Sequence, residues 1–231
     1  TYKITCTNLI NKNQFSATTN TIGDFEISSP NTIPPITFTP TISFSKDSAG
    51  VYQNFNMSLI KRTSGDNDDW SQYTFGVDIV LKYDEWYVNN PSVVTTKSVV
   101  WKAFPLQKVN VYGKLSEIKI NGGTFFSAFS GLKKDPNIIR RLNPNAVVKV
   151  KVINREYTQF VDTRNVQSNS ISSDEAIPIY TNVVNGIGLL YGETNKEYPI
   201  FVLSSLLYNY IACDKSTLDY NFLNAQDRLC R

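Results

Sequence analysis

The chain holds 231 residues, 41% hydrophobic and 19% charged, a balance that excludes a disordered polymer and suffices to bury one or two domains. Its 23 basic and 20 acidic residues leave a formal charge of +3, too little to draw a nucleic-acid partner, and the nearest basic pairs, Lys133-Lys134 and Arg140-Arg141, are separated by Asp135. It contains no His, which removes His-based nucleophile activation, His general-base chemistry and the commonest transition-metal ligand.

The predicted elements begin with an alternation. Tyr2, Ile4 and Cys6 alternate with Lys3, Thr5 and Thr7, the period of a half-buried strand. Cys6 reads there as a small buried hydrophobe. Phe15 to Thr19 can pair with that strand across the turn-like Asn11 to Asn13. Ser28 to Pro35 is a breaker segment and a candidate linker. Strands are then expected at Ile36–Phe38, Asn54–Ile60 and Tyr73–Tyr83. In the last, Phe75, Val77, Ile79 and Leu81 point one way, and Thr74, Gly76, Asp78, Val80 and Lys82 the other, which describes an antiparallel sheet with one wet face. Lys97–Phe104, Val109–Gly113 and Leu115–Ile120 continue the pattern, and Asn121-Gly122-Gly123 predicts a tight turn.

Between Ala146 and Gln167 the period changes. Val148, Val150 and Val152 alternate with Lys149 and Lys151; then Ile153, Tyr157, Phe160 and Val161 take helical spacing, with Asn154 as the expected N-cap and Glu156 in the first turn. Helical turns are also expected at Pro136–Leu142 and Leu218–Leu229. In Ala176 to Gly192 most residues read as strand, yet Asn185-Gly186 and Gly188 interrupt it. Gly186 and Gly188 form no phosphate loop, since strand-like residues follow and no Lys with Ser or Thr is present. The structural reading is a turn or bulge at Asn185-Gly186 and a close backbone approach at Gly188.

Cys213 and Cys230 can close a short loop as a disulfide, stabilising it by about 3 kcal/mol on the chain-entropy model. That is the reading adopted, with two reduced thiols as the alternative, since connectivity cannot be deduced from spacing. No continuous apolar run reaches the roughly 18 residues of a spanning helix. The chain starts at Thr1 without Met, which suggests a processed protein or a fragment whose targeting segment is missing.

Three constellations could carry chemistry. Asp66, Asp68 and Asp69 offer oxygen ligands that could suit calcium. They lack the twelve-residue pattern and the distal Glu, so a solvated turn is preferred and no metal is expected. Asp84 and Glu85 could pair as catalytic carboxylates, with Trp86 and Tyr87 as stacking platforms. Neighbours on a strand face opposite sides, so a hairpin with aromatic cross-strand packing is the better reading. Trp70, Trp86 and Tyr87 remain the candidate ligand-binding surface. Asn56-Met57-Ser58 fits a glycosylation sequon on a predicted strand and is assigned no role.

Two stretches, Val148 to Gln167 and Ser172 to Gly192, together resemble the C-terminal half of the DUF4249-type lipoproteins of Bacteroidota. In that family a strand, a short helix with a Glu-Tyr-Tyr-like core, a polar gap, a proline-containing strand and an Asn-Gly-Leu-Gly turn succeed one another. The corresponding residues are Glu156-Tyr157, Pro178, Tyr180, Asn182 and Asn185-Gly186-Ile187-Gly188. Tyr2 to Thr19 is similar to the strand pair that ends the family's immunoglobulin-like domain. The resemblance, to the family or a relative of it, covers roughly Tyr2–Thr19 and Val148–Gly192. It implies export, an outer-membrane or cell-surface position, and a lipid anchor on an N-terminal Cys absent from this chain. It also implies an accessory role beside an envelope protein such as a TonB-dependent transporter, with no catalytic residues.

The expected fold is mainly β, with antiparallel sandwich or barrel-like sheets and one or two short helices. Residues 1–30 would end an immunoglobulin-like domain or its linker, and residues 31–231 would form the main β-rich domain. The expected function is a non-catalytic envelope lipoprotein for binding or scaffolding, without cofactor. A glycan- or peptide-binding module, a hydrolase using Asp84, Glu85 or Glu117, and a fimbrial or adhesin subunit completed by a neighbour's strand follow in that order.

Overall fold

A computed structural model describes residues 1–36, 38–62, 70–169 and 180–230 of the chain, without the side chains of 165–169. The expected mainly β architecture forms. A five-stranded sheet runs in the order β4 (Thr41–Ile42), β12 (Glu193–Leu203), β10 (Ile138–Ile153), β6 (Thr74–Tyr87), β7 (Asn90–Gln107). A four-stranded sheet runs β3 (Phe25–Ser29), β5 (Asn54–Lys61), β9 (Leu115–Asn121), β8 (Asn110–Tyr112). A small third sheet joins β1 (Tyr2–Thr7), β2 (Gln14–Thr19) and β11 (Val183–Val184). Strand pairing is antiparallel except for β12 with β4.

Period-two alternation builds the core between the two larger sheets. Phe75, Val77, Ile79 and Leu81 of β6 and Val148, Val150 and Val152 of β10 turn inward, as the sequence predicts. They meet Phe25 and Ile27 of β3, Phe55, Met57 and Leu59 of β5, and Ile118 and Ile120 of β9. Each such side chain contributes about 1.5–3 kcal/mol by leaving water. Helix α2 (Ser205–Cys213) adds Leu207 and Ile211 to the same core. An edge-to-face run of rings, Phe44–Phe125–Phe129–Phe222–Tyr83, threads it at centroid spacings of 5.3–5.9 Å.

Several local expectations change. Asn121-Gly122-Gly123 makes no hairpin turn. Asn121 caps a 3-10 helix over Gly122–Phe129, its side chain accepting the Gly123 N–H at 2.9 Å, and that helix delivers Phe125 and Phe129 to the core. Pro136–Leu142 is no helical turn either: from Ile138 it is β10, because Ile138, Arg140 and Leu142 alternate into the interior. Ile36 and Phe38, close to Pro34, Pro35 and Pro40, lie in no strand, and both are exposed. Leu218–Leu229 holds only a 3-10 turn over Leu218–Tyr220 before the chain crosses back to bridge β10 through Phe222.

The strand-to-helix switch stands where the sequence places it, with α1 spanning Arg155–Asn169. Asn154 lies just before it, but its amide nitrogen donates to Thr19 Oγ1 at 2.8 Å and to Asn20 O at 3.0 Å. It fastens β2 to the end of β10. Its Oδ1 accepts no hydrogen bond among the described residues, so the expected side-chain cap is not made. Cys213 and Cys230 form a disulfide with Cα atoms 5.1 Å apart. Cys6 is exposed rather than buried, because neither face of β1 is covered. Residues 1–30 pair across position 30 twice, β2 with β11 and β3 with β5.

Candidate functional site

The nominated aromatic surface does not assemble. Trp70 is 2% exposed, stacked on Tyr73 and packed edge-on to Phe25, so it is a core residue and no platform. Its neighbours Asp66, Asp68 and Asp69, the considered calcium loop, lie outside the described residues. Trp101 is wholly buried, its indole N–H donating to Thr124 Oγ1 at 2.9 Å. Trp86 and Tyr87 both belong to β6, whose pleat sends them to opposite faces. Half-buried Trp86 lies 5.9 Å from the Arg141 guanidinium, while Tyr87 is 52% exposed beside the hairpin turn. The hairpin itself is as expected, closed by the Tyr87–Asn90 pair.

The same pleat parts Asp84 from Glu85. Asp84 accepts from the Thr96 hydroxyl at 2.6 Å across the strand pair. Glu85 turns inward and meets Lys97 Nζ at 2.5 Å and Arg140 Nε at 2.8 Å. Burial alone would raise the Glu85 carboxyl, but Lys97 and Arg140 together hold it below its usual range. Arg140 is 1% exposed, and its other two nitrogens donate to Tyr220 O at 2.8 Å and Lys133 O at 3.0 Å. Glu117 stands on β9, exposed, in the other sheet.

The glycine-interrupted segment is a stitched loop. Asn185 carries the positive φ of 61°, the left-handed conformation that Asn tolerates best after Gly, so neither Gly186 nor Gly188 supplies it. Thr181 Oγ1 donates to Gly188 O at 2.9 Å and accepts the Gly188 N–H at 3.1 Å. Asn182 accepts the Leu190 N–H at 2.8 Å and donates to Leu190 O at 2.6 Å. A Cβ on Gly186 would sit 3.0 Å from the Phe15 ring, and one on Gly188 3.2 Å from Val183. The turn and the close approach are therefore as read. Only Val183–Val184 forms strand among the described residues of that stretch, and Leu189, Leu190 and Tyr191 stay half-buried or exposed.

The sequence gives no hint of a groove of about 580 Å³ on the outer face of the five-stranded sheet. One row of its floor crosses four strands in register: Glu197 of β12, Lys149 of β10, Asp78 of β6 and Lys102 of β7. Lys149 pairs with Glu197 at 2.6 Å, and Lys151 with Glu193 at 2.9 Å. No ion pair reaches Asp78 or Lys102 among the described residues. Register shifts on either side of Val77 lift Phe104, Pro105 and Leu106 into an overhanging wall above Gly76. The alternation of GVDIV and VKVKV marks Asp78 and Lys149 as wet-face residues, but only the strand order makes them neighbours. No helix among the described residues is long and apolar enough to cross a membrane.

Compared with models of known protein families, with curated proteins and with solved structures, the chain matches none of them.

Proposed function

We propose that the chain is a non-catalytic cell-envelope module that binds or scaffolds an envelope protein, with a TonB-dependent outer-membrane transporter as the partner to which the resemblance points. One observation carries the reading. Asp84 and Glu85, the acidic pair a hydrolase could use, stand on opposite faces of β6 and are held by Thr96, Lys97 and Arg140. The outer face of the five-stranded sheet, in contrast, lies open with its groove as a surface for docking.

The resemblance across Tyr2–Thr19 and Val148–Gly192 supplies the compartment: export and a lipid anchor at the outer membrane. In the same reading residues 1–30 end an immunoglobulin-like domain. The full exposure of β1, and an apolar cleft between Ile4, Phe15, Ala17, Leu189 and Leu190, suit a further layer packed on that face. Glycan binding on aromatic platforms draws less support, since Trp70 is buried and Trp86 and Tyr87 diverge.

The test is purification of the cross-linked protein from its own envelope, followed by binary binding to the purified partner. A TonB-dependent transporter should co-purify and bind directly, and reversing charge on the open face, as in Lys149→Glu, should weaken that binding. Absence of any envelope partner, or hydrolysis of glycan or peptide by the purified chain, overturns the reading.

A further inference from the structure

Single exposed aliphatic side chains are ordinary on a protein surface, but here the most exposed ones are gathered. Among the described residues, the large hydrophobic side chains furthest out in solvent are Leu9 at 81%, Ile10 at 94%, Phe38 at 85% and Ile187 at 78%. Three of these four share one end of the third sheet. Leu9 and Ile10 crown the turn between β1 and β2, whose last pair is Thr7–Gln14. β11 runs antiparallel to β2 toward that same turn, and in the loop after it Asn185, two residues before Ile187, donates to Gln14 O at 3.2 Å. The other end of β2 is fastened to the body, where Asn154 holds Thr19 and Asn20, about 17 Å away along the strand.

The turn closes its own backbone. Asn8 Oδ1 accepts the Ile10 N–H at 2.9 Å and the Asn11 N–H at 3.3 Å, and Asn11 Oδ1 accepts the Asn13 N–H at 3.1 Å. The Asn8 N–H donates to Asn13 O and the Lys12 N–H to Asn8 O, both at 2.8 Å. Leaving water is costly for a backbone amide without a partner, and these five have theirs. Both Asn side chains are spent inside the turn, so its crest is aliphatic. Residues 1–23 and 180–192, which supply this sheet and its loops, contain two charged side chains, Lys3 and Lys12, and no carboxylate. A protein groove would read a hairpin by its free backbone and polar side chains, and the crest has turned both inward. Two crests meeting head to head would set Lys12 against Lys12. A surface that is apolar beneath an anionic layer fits both the aliphatic crest and the lysine beside it. We propose that this end of the third sheet inserts into an anionic phospholipid bilayer. Leu9, Ile10 and Ile187 enter the boundary of headgroups and acyl chains, and Lys12 lies among the phosphates. The inference goes beyond the docking reading above: it needs neither lipid anchor nor transporter, and its residues lie outside the five-stranded sheet.

Co-sedimentation of the chain with vesicles of phosphatidylcholine mixed with phosphatidylglycerol, and of phosphatidylcholine alone, is the test. The chain should bind the mixed vesicles better, and added salt should narrow the difference. The double variant Leu9→Ser/Ile10→Ser should bind mixed vesicles at least about tenfold more weakly, as expected for two aliphatic side chains that no longer leave water. Ile187→Ser should cause a smaller loss. Lys12→Gln should cut the preference for phosphatidylglycerol about fivefold, the worth of one lysine near an anionic surface. All four positions are exposed, so an unchanged melting temperature is expected and confirms the fold. Ile10→Trp should gain fluorescence that brominated lipids quench, which separates insertion from adsorption by charge. Failure of the chain to bind either vesicle overturns the proposal, as does equal binding by the double variant or an Ile10→Trp signal that brominated lipid leaves untouched. Self-association lost in the double variant, without vesicle binding, would give the crest to a second copy and likewise overturn it.

Discussion

Arg140 is the most exposing place to test the energetics. Its guanidinium is buried at 1% and makes three directed contacts, to Glu85, to the Tyr220 carbonyl and to the Lys133 carbonyl. Its backbone also accepts the Leu223 N–H at 2.8 Å and donates to Asn221 O at 3.0 Å, so the residue pins the segment after α2 to the sheet. Arg140→Met keeps much of the volume and removes the charge. Breaking a buried pair by deleting one partner costs about 3–5 kcal/mol. Glu85 keeps Lys97 and some solvent contact, so the low end, about 3 kcal/mol, is expected, equal to a fall of about 6–12 °C in Tm for a chain of this size. Urea unfolding followed by tryptophan fluorescence gives the number, since Trp101 and Trp70 are core residues. The double variant with Glu85→Gln should cost much less than the sum of the two singles, because each alone strands the other's polar group. A loss below about 1 kcal/mol for Arg140→Met, or additive losses in the cycle, would show that the guanidinium is not the clamp described.

Four further outcomes follow from the same geometry. Burial alone would raise the Asp214 carboxyl, but the Tyr52 hydroxyl at 2.5 Å, Ser216 and Lys46 together bring it down to about 2. Its stabilising effect is thus complete above its unfolded-state value and fades as pH falls toward 2. Tyr52→Phe should flatten stability between pH 4 and 2 by on the order of 1 kcal/mol, as read from urea midpoints across that range. Cys213→Ser, which opens a loop of 17 residues' separation, should lower stability by about 3 kcal/mol, measured against the oxidised wild type. At Gly122 a Cβ would come within 2.4 Å of the Gln53 carbonyl and 2.7 Å of the Phe44 ring. Gly122→Ala should therefore cost about 1–3 kcal/mol and lower the melting temperature accordingly. Trp86→Ala and Tyr87→Ala should have independent effects on partner binding, since the two rings share no surface; strongly coupled losses would contradict their placement on opposite faces.

Much of the fold was legible because one physical rule dominates it. Wherever alternation was clean, as in β6 and the second half of β10, the inward and outward residues are those the pattern assigns. Two of the misreadings come from residues whose partners are remote in sequence. Arg140 sits at an inward position of β10, and a basic pair beside Ile138-Ile139 imitates one face of a helix. A burial pattern containing arginine can be recognised only once Glu85 and the two carbonyls that receive it are known. Asn121-Gly122-Gly123 has the composition of a turn, yet Gly122 is there for the ring of Phe44 and for the carbonyl of Gln53, both remote in sequence.

The candidate surface was less legible for a related reason. Trp70, Trp86 and Tyr87 stand out in the sequence as large aromatic side chains, but an aromatic in a mainly β protein of this size has more interior to fill than surface to decorate. The groove is made of ordinary residues drawn from four strands, two of which, β6 and β7, shift register around Val77. No residue type announces it. What distinguishes it is a sum over neighbours: in the row from Glu197 to Lys102, the charges of Lys149 and Glu197 cancel pairwise while Asp78 and Lys102 stand opposed without an ion pair among the described residues. Opposite charges directly across a strand pair would ordinarily close on each other for a gain of about 0.2–1 kcal/mol. Asp78 and Lys102 forgo that gain among the described residues and leave both charges on the open face of the sheet.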